Sequence, residues 1–413
     1  MTLARHPRLR EFGLAAGTLG STAGQTLMVA LLPVLLHPYA PSAVWIGLAI
    51  GAEGALALLV PYWIGHLSDH LPATLVRHFG RRTFFLLVAA PIMATVLAIS
   101  PFLRGYWPLV GVGFVYFAAM HAYLTPLWAL GIDAVPSERR GRLEGVRGAF
   151  HSAGLGYGLV IGGLLYGIWP PLPFLVGATL VLATTALTLA AVPPQLRDHE
   201  LETAEPHMRE EWRVWKELRH QGHIRRFLIA NALWTGSVDG IRPYVFLYAV
   251  MVLGISVAEA SLVLFLLVVG LGLGAYTLGY LADHYDRARL LQLGTLITGA
   301  AMTLGILVRS LPGALALLVA AGIGAAAFIT LPYPLFVRLV GERALGRYTG
   351  LYVLSTGLGR IVAPTIVGAA IDIGRPLFPG LRGYPLMWPI AGAMALLSTL
   401  LLRKAVQQRP GPA

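Results

Sequence analysis

Five ionisable side chains lie near the middle of long apolar stretches: Glu53, His121, Asp239, Arg242 and Arg360. An ionisable group at the centre of a bilayer costs at least about 2.5–3.5 kcal/mol on insertion scales. Two acids and two guanidiniums sum to zero charge, so mutual pairing is one chemistry their types permit. Asn231, Thr235, Asp239 and Arg242 recur at i, i+4, i+8 and i+11, which is one face of a helix. That spacing puts Asp239 and Arg242 about 4.5 Å apart along the axis, close enough to pair. A purely structural ion pair is the alternative reading of the two. Tyr352, Thr356 and Arg360 form a similar stripe, as do Thr18, Thr22 and Gln25. Glu53 has no partner near it in sequence. A carboxylate in hydrocarbon is desolvated in its charged form, so proton uptake and release is the expected chemistry there. Asp239 and His121 are the other candidates for handling a proton. His121 shares a face with Phe117, Thr125 and Trp128, which suits a sugar ring and suits plain packing. Gln25, Asn231, Arg242, Tyr352, Arg360 and Trp128 are the candidates to hold a polar solute.

The elements that carry these residues follow from composition. Of 413 residues only 12% are charged and 56% are hydrophobic. A soluble chain of this size has too little interior to hide that much apolar surface. There is no Cys, hence no disulfide, thiolate metal site or Cys nucleophile. A membrane helix needs about 20 apolar residues. That template predicts twelve spans, at 12–36, 43–66, 83–102, 108–132, 145–166, 172–192, 226–250, 257–280, 289–309, 312–337, 347–371 and 385–402. The apolar runs are continuous, which excludes a transmembrane barrel. The first span follows the basic segment MTLARHPRLR, lacks a small-residue cleavage site and reads as retained.

The net charge of +12 does not indicate nucleic acid, because its distribution is one-sided. With the N-terminus in the cytoplasm, 25 Lys and Arg fall in cytoplasmic segments and 4 in outer loops. That asymmetry places both termini inside. Trp45, Trp107, Trp169 and Trp388 fall at outer span ends, where an aromatic belt belongs. Arg147 and His151 stand near the cytoplasmic end of the fifth span and are expected to serve gating or lipid headgroups.

The polar stretch 193–225 separates six spans (1–192) from six (226–413). Met208, Trp212, Trp215 and Leu218 recur in it at helical spacing, as in a helix lying on the membrane surface. The halves repeat each other. GHLSDH at 65–70, with FGRR at 79–82, returns as GYLADHYDRAR at 279–289, and GRLEG at 141–145 returns as GRYTG at 346–350. Paired six-helix repeats around a midplane site are an architecture of secondary transporters.

The loop pattern G-x-x-[SA]-D followed by a basic cluster resembles the signature of the major facilitator superfamily. Seven residues between Asp69 and Arg77, together with PSERRGRLEG at 136–145, resemble the sucrose/proton and glycoside–cation symporters. Glu53 departs from the plant sucrose carriers. The glycines of the fifth span lack the Pro that completes the Gly-Pro motif of drug/proton antiporters, which favours import.

The resemblance implies an all-α bundle of twelve helices in two pseudo-symmetric halves, whose first, fourth, seventh and tenth spans line a cavity. It implies a gate at the cytoplasmic side made by Asp69, Arg81, Arg82, Asp133, Arg140, Asp283, Arg287 and Arg289. The expected activity is proton-coupled symport of a small polar organic solute, such as a sugar or glycoside, with sodium as the other coupling ion considered. A proton-coupled exporter of a drug-like or anionic solute and a non-transporting sensor or scaffold are the alternatives. The expected partners are the solute, protons and the bilayer of a plasma (inner) membrane, with no nucleic acid, and the chain is expected to work as a monomer. No enzyme is expected. HExxH, phosphate-loop and nucleophile-elbow motifs are missing, and GLGLG at 270–274 lies inside the eighth span, where it serves helix packing. No cofactor or metal is expected.

Overall fold

The computed structural model describes residues 7–192, 218, 221–341 and 345–407. The side chains of Asp69 and Asp283 and nearly all of the surface helix expected at 206–221 lie outside the described residues. Among the described residues the chain is helical, with no strand. Eleven helices there are long and apolar enough to cross a membrane. Cα packing divides the chain into two units. One holds the described residues of Met1–Tyr39, Leu56–Ala204 and Val257–Ser261, the other those of Ala40–Ala55, Glu205–Ser256 and Leu262–Ala413.

The first unit is built around α1 (Pro7–Leu36), with the end of α2 (Ala43–Asp69), the loop helix α3 (Ala73–Phe79), α4 (Arg81–Ile99), α5 (Tyr106–Ala134), α6 (Ser137–Gly156), α7 (Gly162–Ile168) and α8 (Leu172–Ala191). α6 runs into α7 through one π turn, Tyr157–Ile161. Lipid offers apolar side chains no incentive to cluster, so small residues that let backbones approach do the joining. Gly154, Gly158 and Gly162 form such a stripe against α1. A methyl group on them would lie 2.7, 2.5 and 2.7 Å from atoms of Thr22, Thr26 and Leu27. Between α1 and α8, the Thr188 hydroxyl donates to the Gly13 carbonyl at 3.0 Å and accepts from the Gly17 amide at 2.9 Å.

The second unit contains α9 (Gly222–Asp239), α10 (Val245–Met251), α11 (Val257–His284, from Leu262 on), α12 (Arg287–Leu304), α13 (Leu311–Thr330), α14 (Pro332–Val340), α15 (Leu345–Gly374) and α16 (Met387–Gln407). Phe227 stacks on Phe336 at 5.7 Å and meets Trp234 edge-on at 5.5 Å, forming an aromatic centre for this unit. The N-terminal half of α2 belongs here too. Gly47, Gly51 and Gly54 leave room for the α15 backbone around Ile361 and Pro364. The Tyr244 hydroxyl lies 2.9 Å from the carbonyls of both Ala43 and Pro364. Asp372 of α15 accepts from the Ala43 and Val44 amides at 3.0 Å, so one helix supplies the N-terminal cap of another.

Three expectations are corrected. The seventh span is not one helix over 226–250. α9 stops at Asp239, a 3-10 turn covers Arg242–Tyr244, and α10 follows. Pro243 has no N–H to give the Asp239 carbonyl four residues back, and its ring crowds that carbonyl. Trp388 is not a belt residue: it is buried, packed edge-on against Tyr248 at 5.3 Å, whereas Trp45, Trp107 and Trp169 are exposed. Arg147 does not reach headgroups. It is 2% exposed, bonded to Glu144 at 2.7 Å and to the Leu127 carbonyl at 2.9 Å.

Candidate functional site

The break in the seventh span brings charged side chains of the second unit together. Asp239 is the last residue of α9, where the helix dipole presents its negative end. A carboxylate there needs nearby positive charge, and two guanidiniums supply it. Arg242 Nη1 donates to Asp239 Oδ1 at 2.9 Å, and Arg360 Nε of α15 donates to Oδ2 at 3.1 Å. One carboxylate is thus divided between two arginines, one from the 3-10 turn and one from a neighbouring helix. Side-chain exposure is 15% for Asp239 but 35% and 38% for Arg242 and Arg360, so the arginines are the open members of the set.

Glu53 belongs to the same unit. It is buried, and its charge acts on Arg360. The neighbouring Gly54 explains the approach: a methyl group there would lie 3.0 Å from Arg360 Cβ. The four charged groups picked out in the sequence therefore meet, although Asp239 and Arg360 are 121 positions apart. Below them on the same two helices, Asn231 Nδ2 donates to Ser355 Oγ at 2.7 Å and Thr356 Oγ1 at 2.8 Å. Tyr352 meets Tyr333 edge-on at 5.5 Å. Ser355 and Tyr244 were not singled out in sequence. A serine one place off the Tyr352–Thr356–Arg360 stripe and a tyrosine beside a proline carry no distinguishing signal.

In the first unit, His121 is buried and its carbonyl accepts from Thr125 at 3.0 Å. Gln25 is half-buried on α1. Thr22 Oγ1 lies 3.1 Å from His151 Nδ1. Trp128 is 47% exposed, and Arg147 stacks over its ring at 4.9 Å. That cation–π contact gives Trp128 a structural partner beside its candidacy for solute binding.

The gating candidates divide. Arg82, at the start of α4, pairs with Asp133 near the end of α5 at 2.6 Å. Arg140 Nε donates to the Val135 carbonyl at 3.3 Å. Burial pushes the Asp133 carboxyl up from its ordinary value, against the opposing pull of Arg82 and Arg140. Arg81 is half-buried at the same helix start. In the second unit Asp286, unremarked in the sequence, caps α12 by accepting from the Ala288 amide at 2.6 Å. Arg287 opens that helix and Arg289 is exposed on it. A further bridge missed in the sequence joins Arg142 to buried Glu11 at 3.3 Å. Among the described residues no group of three or more His, Cys, Asp or Glu is arranged to hold a metal.

Comparison with known proteins agrees with this architecture. No curated protein matches the chain. Among solved structures, a bacterial homolog of the human lysosomal transporter Spinster, in an inward-facing and occupied conformation, is similar with a TM-score of 0.76 at 15% identity over 98% of both chains. The nucleoside transporter NupG is similar with a TM-score of 0.77 at 13% identity over 96% of this chain and 99% of its own. At such identities the likeness shows the fold alone. The family model described as Major Facilitator Superfamily matches residues 14–257 and 251–413. With that match over nearly the whole length, the chain belongs to the major facilitator superfamily and is a multi-pass membrane transporter for a small-molecule solute.

Proposed function

We propose that the chain is a proton-coupled symporter of a small polar organic solute. The observation that carries this reading is the cluster of Glu53, Asp239, Arg242 and Arg360. Intramembrane ionisable residues mark solute or proton pathways far more often than they mark inert packing. Glu53 serves as the proton carrier: it is a buried carboxyl whose charge acts on Arg360, whereas Asp239 is committed to both arginines. Arg242 and Arg360 face the solute, with Tyr352 available to hydroxyl groups, while buried Asn231 is engaged with Ser355 and Thr356 and positions that helix pair. The resemblance of the loop pattern to the sucrose/proton and glycoside–cation branch supports symport, and the missing Pro of the Gly-Pro motif in the fifth span supports import. His121 and Gln25 are proposed as contributions of the first unit. Arg82–Asp133 is proposed as part of a cytoplasmic latch with Asp69, and its counterpart would involve Asp283, Arg287 and Arg289. The chain is proposed to act as a monomer in a plasma membrane.

The test uses the purified chain in liposomes holding a pH-sensitive dye. Sucrose, glucose and gluconate are added outside under an imposed inward proton gradient. Acidification that depends on one of these solutes supports the reading. Solute accumulation that ignores the proton gradient and follows a sodium gradient transfers the coupling to sodium. Movement of none of them with either ion refutes symport of this solute class.

A further inference from the structure

We infer that the solute carries one carboxylate, and that this group docks on the Arg242–Arg360 pair. The inference rests on the transport reading above and narrows its substrate.

Three observations carry it. First, Asp239 shows what the pair recognises. Its two oxygens each take one N–H, from Arg242 at 2.9 Å and from Arg360 at 3.1 Å, so the guanidiniums are already spaced to straddle a carboxylate. Second, a guanidinium carries five N–H donors, and the described bonds to Asp239 use one of each. The arginines remain a third exposed while Asp239 is nearly covered, so their remaining donors are offered on the open side. An arginine fork suits a planar two-oxygen acceptor far better than it suits a neutral hydroxyl.

Third, the charges count to a monoanion. With all four groups ionised, Glu53, Asp239, Arg242 and Arg360 sum to zero. Glu53 is the one ionisable residue in the Ala43–Ala55 stretch of α2. α15 faces it with Arg360, and Asp239 and Arg242 reach it through Arg360. A proton on Glu53 leaves the cluster with one positive charge in excess. One carboxylate restores neutrality, so one proton and one monoanion enter together and no net charge crosses the membrane. A neutral sugar would leave the excess charge buried, and a dianion would overshoot it.

The experiment uses matched pairs that differ only in the acid group: gluconate against glucitol, and phenylacetate against phenethyl alcohol. Thermal unfolding of the full chain in detergent reads binding. At least one acid is expected to stabilise the protein while its alcohol does not. Arg360→Gln is expected to weaken that acid by about tenfold or more, the size of a lost charge-assisted hydrogen bond. If Arg360→Gln fails to fold, Asp239→Asn with Arg360→Gln removes the charges in balance and is expected to show the same loss. In liposomes, uptake of the stabilising acid is expected to follow the pH gradient and to ignore an imposed membrane potential. Equal stabilisation by an acid and its alcohol, or none by either acid, overturns the inference. If glucitol then moves with protons, the transport reading stands alone. If an acid binds and the double variant loses it, yet uptake ignores protons, the carboxylate site stands and proton coupling fails.

Discussion

Replacing Asp239 by Asn tests the charge cluster most directly. The amide keeps the shape of the carboxylate but loses its charge, so two charge-assisted hydrogen bonds become at best neutral ones. Each bond to a charged group contributes about 1.5–3 kcal/mol. Removing a negative charge from the end of α9 returns about 0.3–1 kcal/mol from the helix dipole. Both arginines keep a third of their surface open, so partial solvation holds the cost near the low end. The expected destabilisation is about 2–4 kcal/mol. The partner double variant, Asp239→Asn with Arg360→Gln, removes one charge of each sign and is expected to recover about 1–2 kcal/mol of that. Unfolding in mixed detergent micelles, titrated for the parent, both single variants and the double, gives the coupling energy directly. A coupling below about 0.5 kcal/mol, with Asp239→Asn no less stable than the parent, would refute a shared carboxylate holding two guanidiniums in this unit.

Glu53→Gln imitates a permanently protonated acid. It is expected to bind solute and exchange it in counterflow, yet fail to concentrate it under a pH gradient; loss of both activities would make Glu53 a solute or folding residue. Asp133 holds its proton above the ordinary carboxylate value, so on acidification the Arg82–Asp133 bridge is expected to break earlier than an ordinary surface pair. Folding then takes up a proton at Asp133, so its contribution to stability falls as pH rises through the interval between the ordinary value and the raised one, and Asp133→Asn should flatten stability there. An unchanged pH profile in Asp133→Asn would count against that assignment. Gly158→Ala places a carbon 2.5 Å from Thr26 Cβ and is expected to cost about 1–3 kcal/mol of thermal stability, whereas Gly156→Ala meets open space and should cost little.

The spans and their repeat were legible because apolar length and loop motifs are local properties of the chain. So were the four charges, since an ionisable residue in an apolar run is conspicuous by itself. Their partners were less so. Asp239–Arg242 is a three-residue spacing, but Asp239–Arg360 depends on which helices pack together. Pro243 was visible, yet a hydropathy window over 226–250 averages across it, and a break of this kind hardly alters composition. Trp388 misled because a tryptophan near a span end reads the same whether it faces lipid or, as here, Tyr248. Arg147 misled for the same reason. Its position matches a headgroup ligand, and only the packing of α5 beside α6 supplies the Leu127 carbonyl and the Trp128 ring that hold it inside.

The interrupted seventh span also governs how the chain is made. α9 has 18 residues, about 27 Å of helix, with Arg225 and Arg226 near its start and Asp239 at its end; α10 adds only 7 residues. Neither piece is a strong insertion signal for the translocon, and Asp239 and Arg242 each carry a penalty of about 2.5–3.5 kcal/mol at mid-bilayer. Arg242 is synthesised three residues after Asp239 and neutralises it as soon as the turn forms. Arg360 follows Asp239 by 121 residues, which at about 5–20 residues per second is roughly 6–24 s of elongation. Arg242 is therefore the partner during biogenesis and Arg360 the one gained at assembly. Loss of Arg242 should appear as misinserted topology in newly made chains. Loss of Arg360 should leave topology intact and surface later, as a correctly threaded protein that comes apart more easily.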